Sequence, residues 1–552
     1  MVEKDRNIRF EKIILMLSLF FVGTFHEYLS CVLTIGMLLW IWRRILKKGK
    51  LRIYSNITVW TIGCIVLFYG LSIFWAVDSG MAFVGFLKFL PVMSYLFLLL
   101  QEEKTDDIIA MLPYAGSAMT IMSVIGMQIP MFRSFFSVAD RLAGFFQYPN
   151  TFALFLLVSE LVVISKKRHT KIDVVFIFVL LSGILYTGSR TVFVLTLLSN
   201  IVLIFQMKNK RIRNLTIFGA VLASLGIALY LGAAGKTGVI GRFLTISLTE
   251  STFLGRILYF QDALPLILKH PLGLGYMGYY YMQQSVQTGV YSVTFIHNDY
   301  LQLFLDVGWI PALLFIAAVS RSIFAKGKPF YQRVILCTMA LHSLLDFNLQ
   351  FIGVFMVFLL FMEYDAGREY VLKKTGVLRG ICILASLLCI YFGIMLSLAR
   401  FGRRDVAHRM YPVHTQNEIQ LLIKEENIEK ADKRADEILS RNEYAMIAYS
   451  AKARKAYSDG NFSQVITYKR KIFEKAPFAY EEYEEYAYML ITGIRLYQQA
   501  GDSESVQICR EELQMVGDRV HNMRRKLSYL GTRIKDQPET QLPEEIERYM
   551  KE

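Results

Sequence analysis

Charge is scarce in this chain. Asp, Glu, Lys and Arg together make up 19% of 552 residues, against 54% hydrophobic residues. With a mean hydropathy of +0.38, that scarcity excludes the three or four soluble domains that length alone would suggest. Cysteine is thin as well. Cys31, Cys64, Cys337, Cys382, Cys389 and Cys509 are scattered, without a CxxC or a Cys/His cluster. A disulfide framework or zinc site is therefore not expected, nor any other metal or cofactor. A signal-cleavage site is also missing. Lys4, Arg6 and Arg9 precede an apolar run from Ile13 to Phe25, but no small-residue site follows. The run reads as an uncleaved first span.

What the chain does have is apolar runs on the scale of a bilayer. They lie near 11–25, 28–42, 57–76, 80–100, 108–127, 150–165, 172–187, 191–206, 214–232, 300–320, 333–346, 351–363 and 378–399. This predicts an all-α, polytopic helical membrane protein with about 12–13 transmembrane helices over residues 1–400. The run 333–363 suits two short spans meeting at the polar turn Asp346-Phe347-Asn348. The formal charge of +15 could suggest nucleic acid, but residues 400–552 hold 26 basic and 26 acidic residues, which cancel. The excess sits among the spans, where alternate connections are basic: Arg43, Arg44, Lys47 and Lys48, then Lys166, Lys167 and Arg168, then Lys208, Lys210 and Arg211. The opposite connections carry only Arg133, Arg141, Arg190, Lys236, Arg242, Arg256 and Lys269. By the positive-inside rule the amino terminus is inside, and the charge reports topology, not a nucleic-acid partner. The same parity puts the long polar loop 233–299 and residues 401–552 outside the cytoplasm. Arg400, Arg403, Arg404 and Arg409 argue mildly for the other side of the tail.

Residues 401–552 read as a soluble domain of amphipathic helices. Tyr457, Asp459-Gly460-Asn461-Phe462, Val465, Ile472 and Ala476-Pro477 follow the spacing of a tetratricopeptide-like repeat, with an unrelated helical hairpin as the alternative. Such a domain could hold a protein partner.

The outer loops collect the residues that could carry chemistry. These are Arg141 ahead of Gly144-Phe-Phe-Gln-Tyr-Pro149-Asn150, Gly188-Ser189-Arg190, Arg242, Arg256, His297-Asn298-Asp299, and His342 with Asp346. Arginine binds pyrophosphate through a planar, permanently charged fork. A histidine near neutrality can take a hydroxyl proton. Singly, each residue also has a plain structural reading. Arg190 could snorkel, Arg256 could pair with Asp262, His297 could serve the cap at Asn298, and His342 and Asp346 could form a hydrogen-bonded pair. Lys88, inside an apolar run, marks either function or a snorkelled end.

Taken in order, Gly-Phe-x-x-x-Pro-Asn (144–150), Gly-Ser-Arg (188–190), Gly-Arg (255–256), His-Pro-Leu-Gly-x-Gly (270–275) and His-Asn-x-x-Leu-Gln (297–302) resemble the O-antigen ligase/O-antigen polymerase superfamily. The resemblance covers about 130–365 and is strongest over 172–320. It implies a glycosyltransferase of the bacterial plasma (inner) membrane that works on the extracytoplasmic face. The implied donor is a glycan on undecaprenyl pyrophosphate within the membrane lipid, used without metal or nucleotide, and the acceptor is a glycan, a lipid or a protein. Carried over by position, it implicates His297, Arg256 and Arg190 in catalysis. Arg141, His342 and Asp346 follow as substrate-binding candidates, joined by Lys88 and by Arg242, which has no counterpart in the family pattern. Competing expectations are a transporter or flippase for lipid-linked saccharides and a protein O-oligosaccharyltransferase. A transporter should show internal repeats, and none is evident.

Overall fold

The protein was analysed as a computed structural model that describes residues 10–102, 105–206, 250–373 and 375–551. It is almost entirely helical. The helices before the loop are α1 (Phe10–Phe20), α2 (Glu27–Lys48), α3 (Ile57–Leu71), α4 (Ser79–Leu99), α5 (Leu112–Gln128), α6 (Pro149–Ile164), α7 (Lys171–Thr187) and α8 (Arg190–Phe205). The loop region contributes α9 (Ser251–Lys269) and α10 (Gly278–Val286). The chain then forms α11 (Asp299–Val307), α12 (Trp309–Phe324), α13 (Phe330–His342), α14 (Ile352–Leu360) and α15 (Thr375–Arg400).

Among the described residues, five helical segments are long and apolar enough to cross a membrane: Glu27–Lys48, Ile57–Phe74, Ser79–Leu99, Asp106–Gln128 and Gly376–Arg400. Pro149–Ile164, Arg190–Phe205 and Trp309–Phe324 are shorter apolar helices. The chain is a multi-pass membrane protein. The expected span 214–232 lies outside the described residues. The run 333–363 forms two short helices, α13 and α14, separated by a turn that contains Asp346.

Polar caps set where helices begin. Asn56 accepts from Val59 N at 3.0 Å to start α3, and Asp78 accepts from Met81 N at 2.9 Å to start α4. Each satisfies an amide that the first turn leaves without a partner. α7 begins with a capping box between Thr170 and Asp173.

Among the described residues, two short sheets lie in connections. β1 (Leu51–Ser55) pairs antiparallel with β4 (Arg368–Leu372), joining two connections that the charge rule places on one side. The hairpin β2 (Ser137–Val138) with β3 (Arg141–Leu142) lies in a connection that the rule places on the other. α3 leaves β1 and ends at the long loop, where Trp75 Nε1 donates to Leu272 O at 3.0 Å and Val77 N to Leu274 O at 3.0 Å.

The carboxy-terminal domain is a run of helices: α16 (Thr415–Ile423), α17 (Ile428–Leu439), α18 (Met446–Ser458), α19 (Phe462–Lys475), α20 (Tyr480–Ala500), α21 (Ser503–His521) and α22 (Glu544–Lys551). Phe462, Val465, Ile472 and Ala476 are buried in its core, and Tyr457 meets Phe462 edge-on at 5.9 Å. The domain sits on the loop end of the membrane helices. Asn442 Nδ2 donates to Asp78 Oδ2 at 3.0 Å, and Tyr411 Oη to Gly80 O at 3.2 Å. Ser528 N donates to Thr288 O at 2.9 Å. The tail and the loop containing Thr288 therefore lie at the same end of the molecule.

Candidate functional site

Four structural elements bring distant residues to one carboxylate. Asp346, whose side chain is 1% exposed, lies in the turn after α13. Its Oδ1 accepts from Tyr148 Oη at 2.8 Å and from Phe347 N at 3.0 Å. Its Oδ2 accepts from Asn150 Nδ2 at 2.8 Å and from Arg256 at 3.2 Å. His297 Nδ1 stands 3.4 Å from Oδ1. Burial alone would push the Asp346 carboxyl up. The Arg256 guanidinium, then His297, outweigh it and hold the carboxyl well below the ordinary range, so Asp346 stays ionised.

The turn is held from behind. Asp299 accepts from Asn348 N at 3.0 Å and Leu349 N at 2.9 Å, while its own N donates to Ser343 O at 2.8 Å. Asn298 caps α11 by accepting from Tyr300 N and Leu301 N, both at 3.0 Å. Between the loop and that cap, His297 adopts φ +56°, a left-handed conformation that costs a non-glycine residue about 1–3 kcal/mol. The fixed neighbours on either side hold it there.

Arg190 opens α8 two residues after Gly188, whose φ of +61° ends α7 in a left-handed cap that favours glycine. Arg190 meets Glu250 Oε1 at 2.8 Å. Glu250 is the N-cap of α9 and accepts from Thr252 N at 3.0 Å. Burial raises the Glu250 carboxyl, but its bonds from Thr252 and Arg190 bring it below the usual value. Arg141, in β3, donates through Nε to Thr187 O and through Nη2 to Asn150 Oδ1, both at 2.7 Å. That second bond ties Arg141 to Asn150 and so to the Asp346 hub.

Arg141, Arg190, Arg256 and His297 all line one cavity of about 830 Å³. Its other wall is apolar, with Val194, Leu195, Phe253, Leu341, Leu344 and Leu345. Val194, Leu341 and Leu344 are exposed. The arrangement can hold a strongly anionic group beside a hydrocarbon chain, with a histidine next to both.

The remaining candidates lie elsewhere. His342 is fully buried, with Nδ1 3.1 Å from Asn348 Oδ1, and its Nε2 has no hydrogen-bond partner among the described residues. The expected His342–Asp346 hydrogen bond is replaced by that contact with Asn348. Lys88, fully buried on α4, donates to Tyr276 Oη at 3.0 Å, and Tyr276 donates to Glu27 Oε1 at 2.7 Å. It also stands 4.8 Å from the Phe25 ring centroid and is not part of the cavity wall among the described residues. Arg242 lies outside the described residues. Asp262 does not take Arg256. It accepts instead from Thr288 N at 2.9 Å, Thr288 Oγ1 at 2.7 Å and Tyr291 Oη at 3.0 Å.

Sequence reasoning passed over Glu250 and Tyr259, both in the cavity wall. Glutamate is a weak capping residue, so little in the sequence pointed to Glu250. The only sign of Tyr259 was its i, i+3 spacing from Arg256 on α9.

A comparison with curated proteins finds no match. The family comparison supports a membrane enzyme of the glycan ligase or polymerase kind: residues 175–316, which contain Arg190, Arg256 and His297, match the O-antigen ligase family.

Proposed function

We propose that the protein transfers or polymerises glycans from an undecaprenyl-pyrophosphate-linked donor on the extracytoplasmic face of a bacterial plasma membrane. The observation that carries this reading is the cavity itself, with three arginines and a histidine facing an apolar wall. The polyprenyl chain lies against Val194, Leu341 and Leu344, and the pyrophosphate sits between Arg190 and Arg256. Asp346 stays ionised and accepts a hydrogen bond from the Nδ1–H of His297, which leaves Nε2 to take the acceptor hydroxyl proton. The acceptor oxygen attacks the anomeric carbon and forms the new glycosidic bond. The carbon–oxygen bond to phosphate breaks, its electron pair leaves on the lipid pyrophosphate, and the arginines stabilise that charge. A single displacement of this kind inverts the anomeric configuration.

A positioned base contributes about 100- to 10,000-fold, and one preorganised donor about 100- to 1000-fold. The test is transfer from a polyprenyl-pyrophosphate saccharide in proteoliposomes. His297→Ala, Arg256→Ala and Arg190→Ala should each lose activity in those ranges while inserting normally. Arg256→Lys should recover little, because an ammonium cannot make the paired fork. Full activity in His297→Ala, or inactivation by a chelator, would remove this mechanism.

The carboxy-terminal domain has a groove of about 550 Å³ walled by Arg454, Tyr457, Tyr488, Arg495 and Tyr549. We assign it to the acceptor or to a protein partner, the role its helical-repeat spacing suggests.

A further inference from the structure

The carboxy-terminal domain reaches the loop through residues 528–537, and this seam bears on the helix that carries Arg256. Ser528 N donates to Thr288 O at 2.9 Å, and the two hydroxyls, Ser528 Oγ and Thr288 Oγ1, lie 3.0 Å apart. Backbones meet closely here. A Cβ on Gly531 would stand 2.3 Å from Thr288 O, so no side chain fits without opening the seam. Ile534 is buried against Leu258 and Tyr291.

α9 presents two stripes at helical spacing. Leu258 and Asp262, at i and i+4, face the seam: Leu258 packs with Ile534, and Asp262 holds Thr288. Arg256 and Tyr259, at i and i+3, line the cavity. Tyr291 joins the stripes, with its ring 4.4 Å from that of Tyr259, which lies 6.2 Å from the His297 ring. A displacement of the seam rotates or slides α9 and moves Arg256 away from Asp346.

We infer that residues 528–537 are a positioning element for the cavity. They fix α9 so that Arg256 is set for the donor pyrophosphate, and the carboxy-terminal domain thereby contributes to donor binding without touching the donor. The inference rests on the reading of Arg256 as a pyrophosphate ligand.

The experiment uses full-length protein in lipid nanodiscs. Titration with inorganic pyrophosphate is combined with amide hydrogen exchange. Gly531→Val should weaken pyrophosphate binding about tenfold. It should speed exchange across residues 255–262 while leaving α3 and α20 protected, a local change that general destabilisation would not give. The Thr288→Cys/Ser528→Cys pair provides a reversible version, since the two side chains are in direct contact. Reduced, it should bind weakly. Oxidised, it should regain wild-type affinity and α9 protection.

Wild-type affinity together with wild-type α9 protection in Gly531→Val would overturn the inference, as would an oxidised pair no better than the reduced one. If Gly531→Val fails to fold, the cysteine pair decides. If wild-type protein binds no pyrophosphate, the reading of the cavity falls separately. Exchange then decides the positioning role alone: faster exchange in α9 supports it, and unchanged exchange overturns it.

Discussion

Asp346→Asn is the sharpest test of the site, because one carboxylate serves five groups. The substitution keeps the shape and removes the charge and one acceptor. If the asparagine oxygen takes the Oδ1 position, it still accepts from Tyr148 and Phe347. The amide nitrogen then faces Asn150 Nδ2 and the Arg256 guanidinium, donor against donor. Flipping the amide moves the same conflict onto Tyr148, Phe347 and His297. Either way at least two donors lose their partner in a buried place, at about 1–3 kcal/mol each. The half-buried Arg256 guanidinium also loses its counter-charge, for which about 3–5 kcal/mol, the cost of breaking a fully buried pair, is the upper bound. These losses overlap, so about 3–5 kcal/mol of total destabilisation is the working figure.

The catalytic loss is larger than the cost of one bond. Arg256 loses its anchor, and His297 loses the acceptor that selects the Nδ1–H tautomer. A carboxylate-to-amide change behind a catalytic histidine costs about 10,000-fold in the serine-protease case. Here His297 Nδ1 is 3.4 Å from the carboxylate, so about 100- to 10,000-fold in turnover is the expected range. The assay is glycan transfer in proteoliposomes, normalised to inserted protein, with kcat and KM separated and thermal unfolding run in parallel. Tyr148→Phe is the control, since it removes one hydrogen bond to Asp346 and a longer one from Asn150 and keeps the charge. It should retain most activity. Asp346→Asn that is folded and turns over at the wild-type rate would refute the hub reasoning, whatever its stability.

Cysteines placed at Ser285 and Ser458 should both react with a membrane-impermeant reagent in intact cells; protection of both would put the cavity on the cytoplasmic side. Acid should act through Asp346. Its folded pKa is depressed, so its stabilisation is complete above about pH 4 and is lost as pH falls below that value. Melting temperature against pH should therefore fall more steeply below pH 4 in wild type than in Asp346→Asn, and parallel curves would contradict the assignment. Truncation after Arg404 should lower both the abundance and the donor turnover of inserted protein. It uncovers Asp78 and Gly80, removes Tyr444 from the cluster of Ala263, Leu266 and Tyr279, and opens the Thr288 seam. Full donor turnover per inserted molecule would show that the tail is dispensable for chemistry.

The helical membrane architecture was legible because it rests on long apolar runs, a signal summed over many residues. Arg141, Arg190 and Arg256 were legible for a related reason, and His297 through the His-Asn-x-x-Leu-Gln pattern of 297–302. Charges on the poorly basic face run against the topological bias, so each needed a cause. The cavity places all four together. Asp346 was visible only as half of a pair with His342, because i, i+4 spacing is local and the true partners lie 49 to 198 residues away. Asp262 misled in the same way. Its helical spacing from Arg256 was plausible, but Thr288 and Tyr291 compete better because they arrive from a loop whose path the sequence does not state. Lys88 read as function or a snorkelled end; it is fully buried and does not snorkel, and its contact with Tyr276 depends on a close approach that no periodicity encodes.

The residues that line the cavity and those that hold them are interleaved along the chain. The family match over 175–316 contains Arg190, Arg256 and His297, whereas Arg141, Tyr148, Asn150 and Asp346 all fall outside it. No single element could build this site. α8 brings one arginine and α9 another, the loop brings histidine in a left-handed conformation, and the Asp346 turn is held by Asp299 on α11. A strained His297 persists only where its surroundings over-determine it, and here the cap at Asn298 and the carboxylate of Asp346 do so from two sides. That makes the supporting residues as exacting as those that line the cavity. A chain that kept Arg190, Arg256 and His297 but lost Asp346 would retain the family's recognisable segment and lack the geometry that makes it a site.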